Sequence, residues 1–282
     1  MLAPTNYTFL CQLVHERSGL VLLGDKQYLI ESRLIPVARR NGLGTIDDLC
    51  SAARNPGAEA IRVDITEAMT TNETFFFRDK TPFDHFSEQM IRHLLKARSN
   101  LRRIRVWCAA ASTGQEPFSI AMMVQEMSAQ MAGWRVEILA TDISNEVLEK
   151  AKLGMYTQFE VQRGLPINYL VKYFKQIGDM WQIDPAIRAM VQFRPLNLLR
   201  DFRDTGTFDI VFCRNVLIYF DQPTKTDVLN RLSEAIAQDG FLVLGASETT
   251  IGLTDKLKTV DGMRTLHTLA TAQGGQTRAL RA

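Results

Sequence analysis

The residues with chemical potential in this 282-residue chain stand immediately after its strand-like runs. Ile104–Cys108 is followed by Ala109-Ala110-Ala111-Ser112-Thr113-Gly114-Gln115-Glu116. Small side chains there let the backbone approach a ligand closely, and the helix start that follows offers N–H groups with no partner in the helix. Trp134–Ala140 is followed by Thr141-Asp142-Ile143-Ser144, where a carboxylate can accept hydrogen bonds from both ribose hydroxyls of a nucleoside. Phe208–Cys213 is followed by Arg214-Asn215, with Tyr219 four residues further on. Upstream of all three lies Thr71-Asn72-Glu73-Thr74-Phe75-Phe76-Phe77-Arg78, which joins polar donors to three aromatics and an arginine.

The pattern separates two kinds of nucleoside cofactor. A dinucleotide seats a pyrophosphate on GxGxxG, with an acid ~20 residues on. Here the turn holds one glycine, Gly114, and Asp142 lies farther away. S-adenosylmethionine carries no phosphate and tolerates an Ala/Ser-rich turn. On these residues alone, a turn that only links a strand to a helix is the other reading. The three-Phe segment is likewise open to two readings. It is a hydrophobic plug between domains, or a cofactor lid with Asn72, Thr74 and Arg78 turned to the ligand and the Phe rings to the core.

These residues need a scaffold, and the sequence describes one. Apolar residues make up 46% and charged residues 23%, the usage of a folded globular chain. Lys plus Arg is 33 against 31 for Asp plus Glu, a balance that argues against a uniformly basic nucleic-acid surface. No apolar run approaches the ~20 residues of a bilayer span, and MLAPTNYTFL lacks the basic-then-apolar pattern of a secretory signal. Four scattered cysteines (11, 50, 108 and 213) read as reduced, packed thiols. The expected location is therefore the cytoplasm, with no membrane insertion and no metal centre.

Residues 1–80 read as a small helical bundle. Asp25 is the expected cap of a helix from Lys26 to Arg40, whose apolar face takes in Tyr28, Leu29, Leu34, Ile35 and Val37. Thr45, with Asp47 and Asp48 behind it, opens another helix, and Ala58–Met69 a third. Residues 81–102 form a linker helix opened by Thr81-Pro82. Six Lys/Arg between Arg92 and Arg105, with no acid among them, read as a solvated face or as a contact for nucleic acid or an acidic partner. From 103 to 270 strands alternate with helices (Glu116–Gln130, Ser144–Lys152, Gln222–Ala237), which implies a mainly parallel sheet covered on both sides. A β subdomain is expected at about 175–194. It would be a hairpin of Met180–Ile183 and Met190–Phe193 around Asp184-Pro185. Residues 271–282 read as a flexible tail.

Five segments in order resemble the chemotaxis receptor methyltransferases, the CheR-type family: NETFFFR at 72–78, CAAASTGQEPFSIA at 108–121, TDIS at 141–144, FRPLNLL at 193–199 and FDIVFCRNVLIYFD at 208–221. The likeness runs over roughly residues 5–270. It implies an α/β chain: a small all-α N-terminal domain, then a Rossmann-like S-adenosylmethionine-dependent domain with an inserted antiparallel β subdomain. It also implies methyl-ester formation on glutamates of the cytoplasmic helical bundles of chemoreceptors, with S-adenosylhomocysteine as product and the enzyme a monomer. Carried over by motif, Asn72, Thr74, Arg78 and Glu116 line the cofactor pocket and Asp142 holds the ribose. Asn197 and Leu198 flank the adenine, Arg214 and Asn215 after the fourth strand also bind the cofactor, and Arg78 and Tyr219 stand nearest the methyl donor.

Glutamate is ionised at pH 7, its usual pKa being ~4.3, so attack on a sulfonium methyl needs alignment and partial desolvation rather than a general base. Arg33, Arg39 and Arg40 put positive charge on the 26–40 helix, suited to a Glu-rich receptor helix, although solvated surface arginines are the plain alternative. The stretch Phe174–Trp181 holds one glycine, Gly178, and lacks the longer glycine-rich loop with which some relatives grip a receptor C-terminal pentapeptide. Independence from that tether is the expectation. A nucleic-acid methyltransferase would call for a larger basic excess and a DPPY-like motif where RNVLIY stands. A cofactor-binding adaptor without activity sits poorly with the intact set Arg78, Asp142, Arg214 and Tyr219.

Overall fold

The computed structural model describes residues 2–22 and 27–271. The expected cap Asp25 with Lys26, and the tail from residue 272, lie outside the described residues. The chain divides into two compact units: the residues up to Thr71 together with Tyr219–Thr224, and Asn72–Ile218 with the residues from Lys225 on.

The first unit is built from α1 (Pro4–Ser18), α2 (Gln27–Arg40), α3 (Ile46–Arg54) and α4 (Glu59–Met69). Helix α1 has Pro4 in its first turn and stops at Gly19, whose φ of 75° is free for glycine. Helix α3 opens on a capping box in which Thr45 and Asp48 satisfy each other's backbone N–H groups. Leu10, Val14, Ile30, Leu34, Leu49, Cys50, Ile65 and Met69 form the core. Helix α2 buries Ile30, Leu34, Val37 and Ala38, while Tyr28 and Ile35 are exposed. The expected face was therefore out of phase. Residues 28 and 35 share a stripe of their own at i, i+7, and the i, i+4, i+7, i+8 stripe from Ile30 is the one that packs.

The second unit carries strands β1 (Arg103–Cys108), β2 (Arg135–Asp142), β3 (Met155–Thr157), β4 (Phe174–Ile177), β5 (Met180–Ile183), β6 (Val191–Pro195), β7 (Phe208–Cys213), β8 (Ile236–Leu244), β9 (Leu257–Val260) and β10 (Met263–Leu269). Its helices are α5 (Thr81–His85), which runs through a π turn (Phe86–Ile91) into α6 (Arg92–Ala97), then α7 (Gln115–Glu126), α8 (Asn145–Leu153), α9 (Gln158–Gln162), α10 (Ile167–Tyr173), α11 (Pro185–Ala189) and α12 (Gln222–Glu234). The first residues of α12 belong to the other unit. Seven strands make one sheet in the order β6-β2-β1-β7-β8-β10-β9. The first five are parallel, with Val106 opposite both Ile138 and Ile210, and β10 runs antiparallel to β8. The chain builds outward from β1 to β2 and β6, then returns to β7 on the other side of β1. That reversal opens a crevice at the carboxyl ends of β1 and β7, where open α/β sheets hold ligands.

The β subdomain and the basic run differ from expectation. Met180–Ile183 does not pair with Met190–Phe193. Its partners are β4, across the two-residue turn Gly178-Asp179, and β3, in a separate antiparallel sheet ordered β3-β5-β4. Residues 191–195 instead extend the main sheet beside β2. Asp184-Pro185 is a helix start: Asp184 accepts from the Ala186 N–H at 2.7 Å and caps α11, with Pro185 in its first turn. The basic run is only partly solvated. Arg98 pairs with Asp209 and Asp239, and Arg103 and Arg105 share Glu137 with Arg135. The segment expected as a linker helix is helical from Thr81 to Ala97, and one face of it packs into the core of the second unit. Phe83, Phe86, Met90, Ile91 and Leu94 are buried with the sheet, and Phe83 and Phe86 pack on Phe212.

Candidate active site

Three loops of the second unit meet at that crevice, and hydrogen bonds from side chain to backbone tie them together. After β1 the Ser112 N–H donates to Asp142 Oδ2 at 2.8 Å, and Ser112 Oγ donates to the Asn72 carbonyl at 2.7 Å. The Ser144 N–H donates to Asp142 Oδ1 at 3.0 Å, so both carboxylate oxygens are fixed by backbone. The turn closes at Gly114, φ 94°, where a Cβ would lie 3.0 Å from both Ala151 and the Phe118 ring. Glycine is required there for conformation and for space. The Leu196 N–H donates to the Asp142 carbonyl at 2.9 Å, which brings the loop bearing Asn197 and Leu198 alongside.

Across the crevice Arg214 is the hub. Its side chain is 2% exposed and donates to Glu116 Oε2, Asp79 Oδ2 and the Arg78 carbonyl, each at 2.8 Å. Burial pushes the Glu116 carboxyl above the usual range. Arg214 and the Cys108 thiol, which donates to it, pull the other way without cancelling the shift. Cys108 in turn is raised well above an ordinary thiol by burial and by the neighbouring Glu116 charge. Arg214 Nε is buried and has no partner among the described residues.

Backbone strain gathers at these loops. Six non-glycine residues have positive φ among the described residues; five of them are Phe77, Asp79, Lys80, Ser112 and Asn215. Such conformations cost of order 1–3 kcal/mol each and persist only where their surroundings over-determine them. The surroundings are visible. The Phe77 N–H donates to Ser119 Oγ at 3.0 Å, and Arg214 grips the Arg78 carbonyl and Asp79. Gly164 lies against the same segment so closely that a Cβ would sit 2.1 Å from the Phe76 carbonyl oxygen.

The expected residues distribute as follows. Asn72, Glu116, Asp142, Asn197 and Leu198 are joined to the crevice loops by the contacts above, and Thr74 and Arg78 lie half-buried on the 72–78 segment. Arg78 donates to the Glu73 carbonyl at 2.8 Å. Of the three Phe rings only Phe76 is fully buried; Phe75 lies under Arg163, 4.5 Å from its centroid, and Phe77 is half-buried against Phe83 and Tyr169. Tyr219 belongs to the first unit, half-buried against its core, and its carbonyl accepts from the Val21 N–H at 2.9 Å. Arg39 and Arg40 are exposed on α2. Arg33 is committed elsewhere: its guanidinium donates to the carbonyls of Met69 and Thr70 at 2.7 and 2.8 Å and to Thr71 Oγ1 at 3.1 Å.

Two residues of the site escaped the reading of the sequence, Asp79 and Glu248. Glu248 accepts from the backbone N–H groups of Asn215, Val216, Leu217 and Gly245 at 2.7–3.0 Å. The available signal was Gly245-Ala246-Ser247-Glu248, an acid placed directly after β8.

Residues 72–266 match the model of the CheR methyltransferase SAM-binding domain, and residues 5–70 that of its all-alpha domain. The chain belongs to the CheR methyltransferase family. Chemotaxis protein methyltransferase 1 of Vibrio cholerae is 37% identical over 262 residues, 92% of this chain and 94% of that one. Chemotaxis protein methyltransferase 1 of Pseudomonas aeruginosa is 40% identical over 246 residues, 86% and 89% of the two chains. The corresponding enzyme of Vibrio anguillarum is 39% identical over 262 residues, covering 92% and 94%. As in the rest of the family, the cofactor is S-adenosylmethionine, and the donor set suits it. Asp142 supplies an acceptor for a diol, the paired charges of Glu116, Arg214 and Arg78 suit a zwitterionic amino acid, and the β1 turn has the single glycine of a site that seats no phosphate. Among the described residues no helix is long and apolar enough to cross a membrane, and no group of three His, Cys, Asp or Glu side chains is placed to hold a metal ion.

Proposed function

We propose that the chain methylates glutamate side chains on the cytoplasmic helical bundles of chemoreceptors, acting as a protein-glutamate O-methyltransferase in the cytoplasm and as a monomer. The observation that carries this reading is the match of both family domains in order along one chain, with relatives named as chemotaxis methyltransferases over most of its length.

Bound S-adenosylmethionine supplies an electrophilic methyl group on a sulfonium. In this reading Asp142 receives the ribose hydroxyls, Asn197 and Leu198 border the adenine, and Asn72, Thr74, Arg78, Glu116, Arg214 and Asn215 bind the remainder. Arg78 and Tyr219 orient the reactants without covalent participation. The glutamate arrives ionised, so no residue need remove a proton. The protein contributes alignment of oxygen, methyl and sulfur and partial desolvation of the carboxylate. Exposed Arg39 and Arg40 attract the acidic receptor helix, an attraction that salt screens. Arg33 has a positioning role instead, since its donors hold the end of α4. The two-residue turn between β4 and β5 supports independence from a receptor C-terminal pentapeptide.

The test is incubation of the full chain with methyl-labelled S-adenosylmethionine and receptor-containing membranes. Base-labile label on receptors is expected, whereas label on nucleic acid, or none, overturns the reading. Tyr219→Phe with undiminished turnover removes the hydroxyl from the mechanism. Charge reversal at Arg39 and Arg40 without loss of salt dependence removes the steering role. Tight calorimetric binding of a free receptor C-terminal pentapeptide removes the independence.

A further inference from the structure

Glu248 is 9% exposed, and among the described residues its carboxylate is met by backbone N–H groups rather than by a cation. Oε2 accepts from Asn215 at 2.9 Å and Gly245 at 2.7 Å; Oε1 accepts from Val216 at 3.0 Å and Leu217 at 2.8 Å, with Ile218 farther off at 3.4 Å. Successive N–H groups turned to one anion form a nest, and bonds to an ionised acceptor are about twice as strong as neutral ones. The cluster leaves no slack: a Cβ on Gly245 would lie 2.8 Å from Glu248 Oε2 and 2.9 Å from Asn215 Nδ2. In the same turn Asn215 takes φ 57°, a conformation that costs a side-chain-bearing residue free energy unless something fixes it.

We propose that Glu248 is a positioning residue for the cofactor: by gathering the N–H groups of Asn215–Leu217 it holds the loop after β7 in its strained form and sets where Arg214 and Asn215 present their side chains. The inference rests on the reading that Arg214 and Asn215 bind S-adenosylmethionine. The loop's main-chain donors turn to Glu248, so what it can offer a ligand is the Asn215 side chain and Arg214 Nε, unpartnered among the described residues. Glutamine at 248 offers one acceptor oxygen and an amide that repels N–H groups, so it can serve one half of the nest. Glu248 itself need not touch the cofactor.

The experiment measures S-adenosylhomocysteine binding by calorimetry, and amide hydrogen exchange at 215–218, in the full chain carrying Glu248→Gln, Gly245→Ala or Asn215→Ala. Glu248→Gln is expected to speed exchange of those amides and to raise Kd by about tenfold or more, as loss of charge-assisted bonds implies. Gly245→Ala, which presses a methyl on the same carboxylate, gives the same pattern in milder form and stands in if Glu248→Gln fails to fold. A merely structural role would lower stability and leave Kd in place. Weaker binding by Asn215→Ala with Kd unchanged in both Glu248→Gln and Gly245→Ala overturns the positioning role alone. Kd unchanged in all three overturns the cofactor assignment of Asn215 along with it.

Discussion

Replacing Arg214 by methionine takes from Glu116, 7% exposed, its ion-pair partner and leaves it only the weaker influence of the Arg78 charge. Breaking a buried pair from one side costs ~3–5 kcal/mol, but a carboxylate has an escape in protonation. From an ordinary value of ~4.3, neutralising it at pH 7 costs about 3.7 kcal/mol at 1.36 kcal/mol per unit, and that is the ceiling on the electrostatic loss. Burial holds Glu116 above its ordinary range even with Arg214 opposing the shift, so removing Arg214 pushes it further in the same direction, and the variant is expected to hold it neutral at pH 7. Asp79, the other acid on Arg214, has a side chain 39% exposed and loses little. The native variant then carries a proton that the unfolded chain releases above ~4.3. Native binds more protons than unfolded, so stability rises as pH falls, by about 1.4 kcal/mol per unit. Arg214→Met should be ~3–4 kcal/mol less stable than wild type at pH 7 and should recover roughly 2 kcal/mol of that by about pH 5.5. Urea unfolding followed by tryptophan fluorescence is the assay, because all three tryptophans (107, 134 and 181) lie in the second unit. Adding Glu116→Gln should flatten the pH slope and restore part of the stability. Parallel pH curves for wild type and Arg214→Met, or a double variant no more stable than the single one, would refute the reasoning.

Gly164→Ala places a methyl 2.1 Å from the Phe76 carbonyl oxygen at φ 80°, and should destabilise the second unit by more than ~1 kcal/mol while weakening S-adenosylhomocysteine binding through the 72–78 segment. Wild-type urea midpoints and wild-type affinity would show that this contact fixes nothing. Arg33→Ala should cost the helical unit about 1–3 kcal/mol by orphaning carbonyls at the end of α4, seen as faster amide exchange there. Methylation by this variant should keep its ionic-strength dependence, and losing that dependence would return Arg33 to substrate steering.

Much of the site was legible because a parallel α/β sheet puts its chemistry in one place. Once the strands at 104–108, 134–140 and 208–213 were recognised by their apolar runs, the residues after them had to meet at one end of the sheet, and Glu116, Asp142 and Arg214 do. Local signals failed where one dipeptide serves two ends. Asp184-Pro185 suits a turn between strands and equally a helix cap followed by a first-turn proline, and only the partner strand β6, claimed by β2, decides between them. Periodicity failed on α2 because two apolar stripes compete and the bundle buries only one.

The least legible features act through the main chain. Arg214 is readable as a cation, but its partners lie 98 and 135 residues away, and its turn inward to Glu116 rather than outward to solvent is a property of the packed sheet. Glu248 is less readable still, since its partners are N–H groups that every residue but proline owns. Both residues do the same physical work. Left-handed Asp79 and Asn215 are each held by a buried charged group, Asp79 by Arg214 and the Asn215 N–H by Glu248. Strain and buried charge thus answer each other. In both loops the main chain is bound from behind, through the carbonyl of Arg78 and the N–H groups after Asn215.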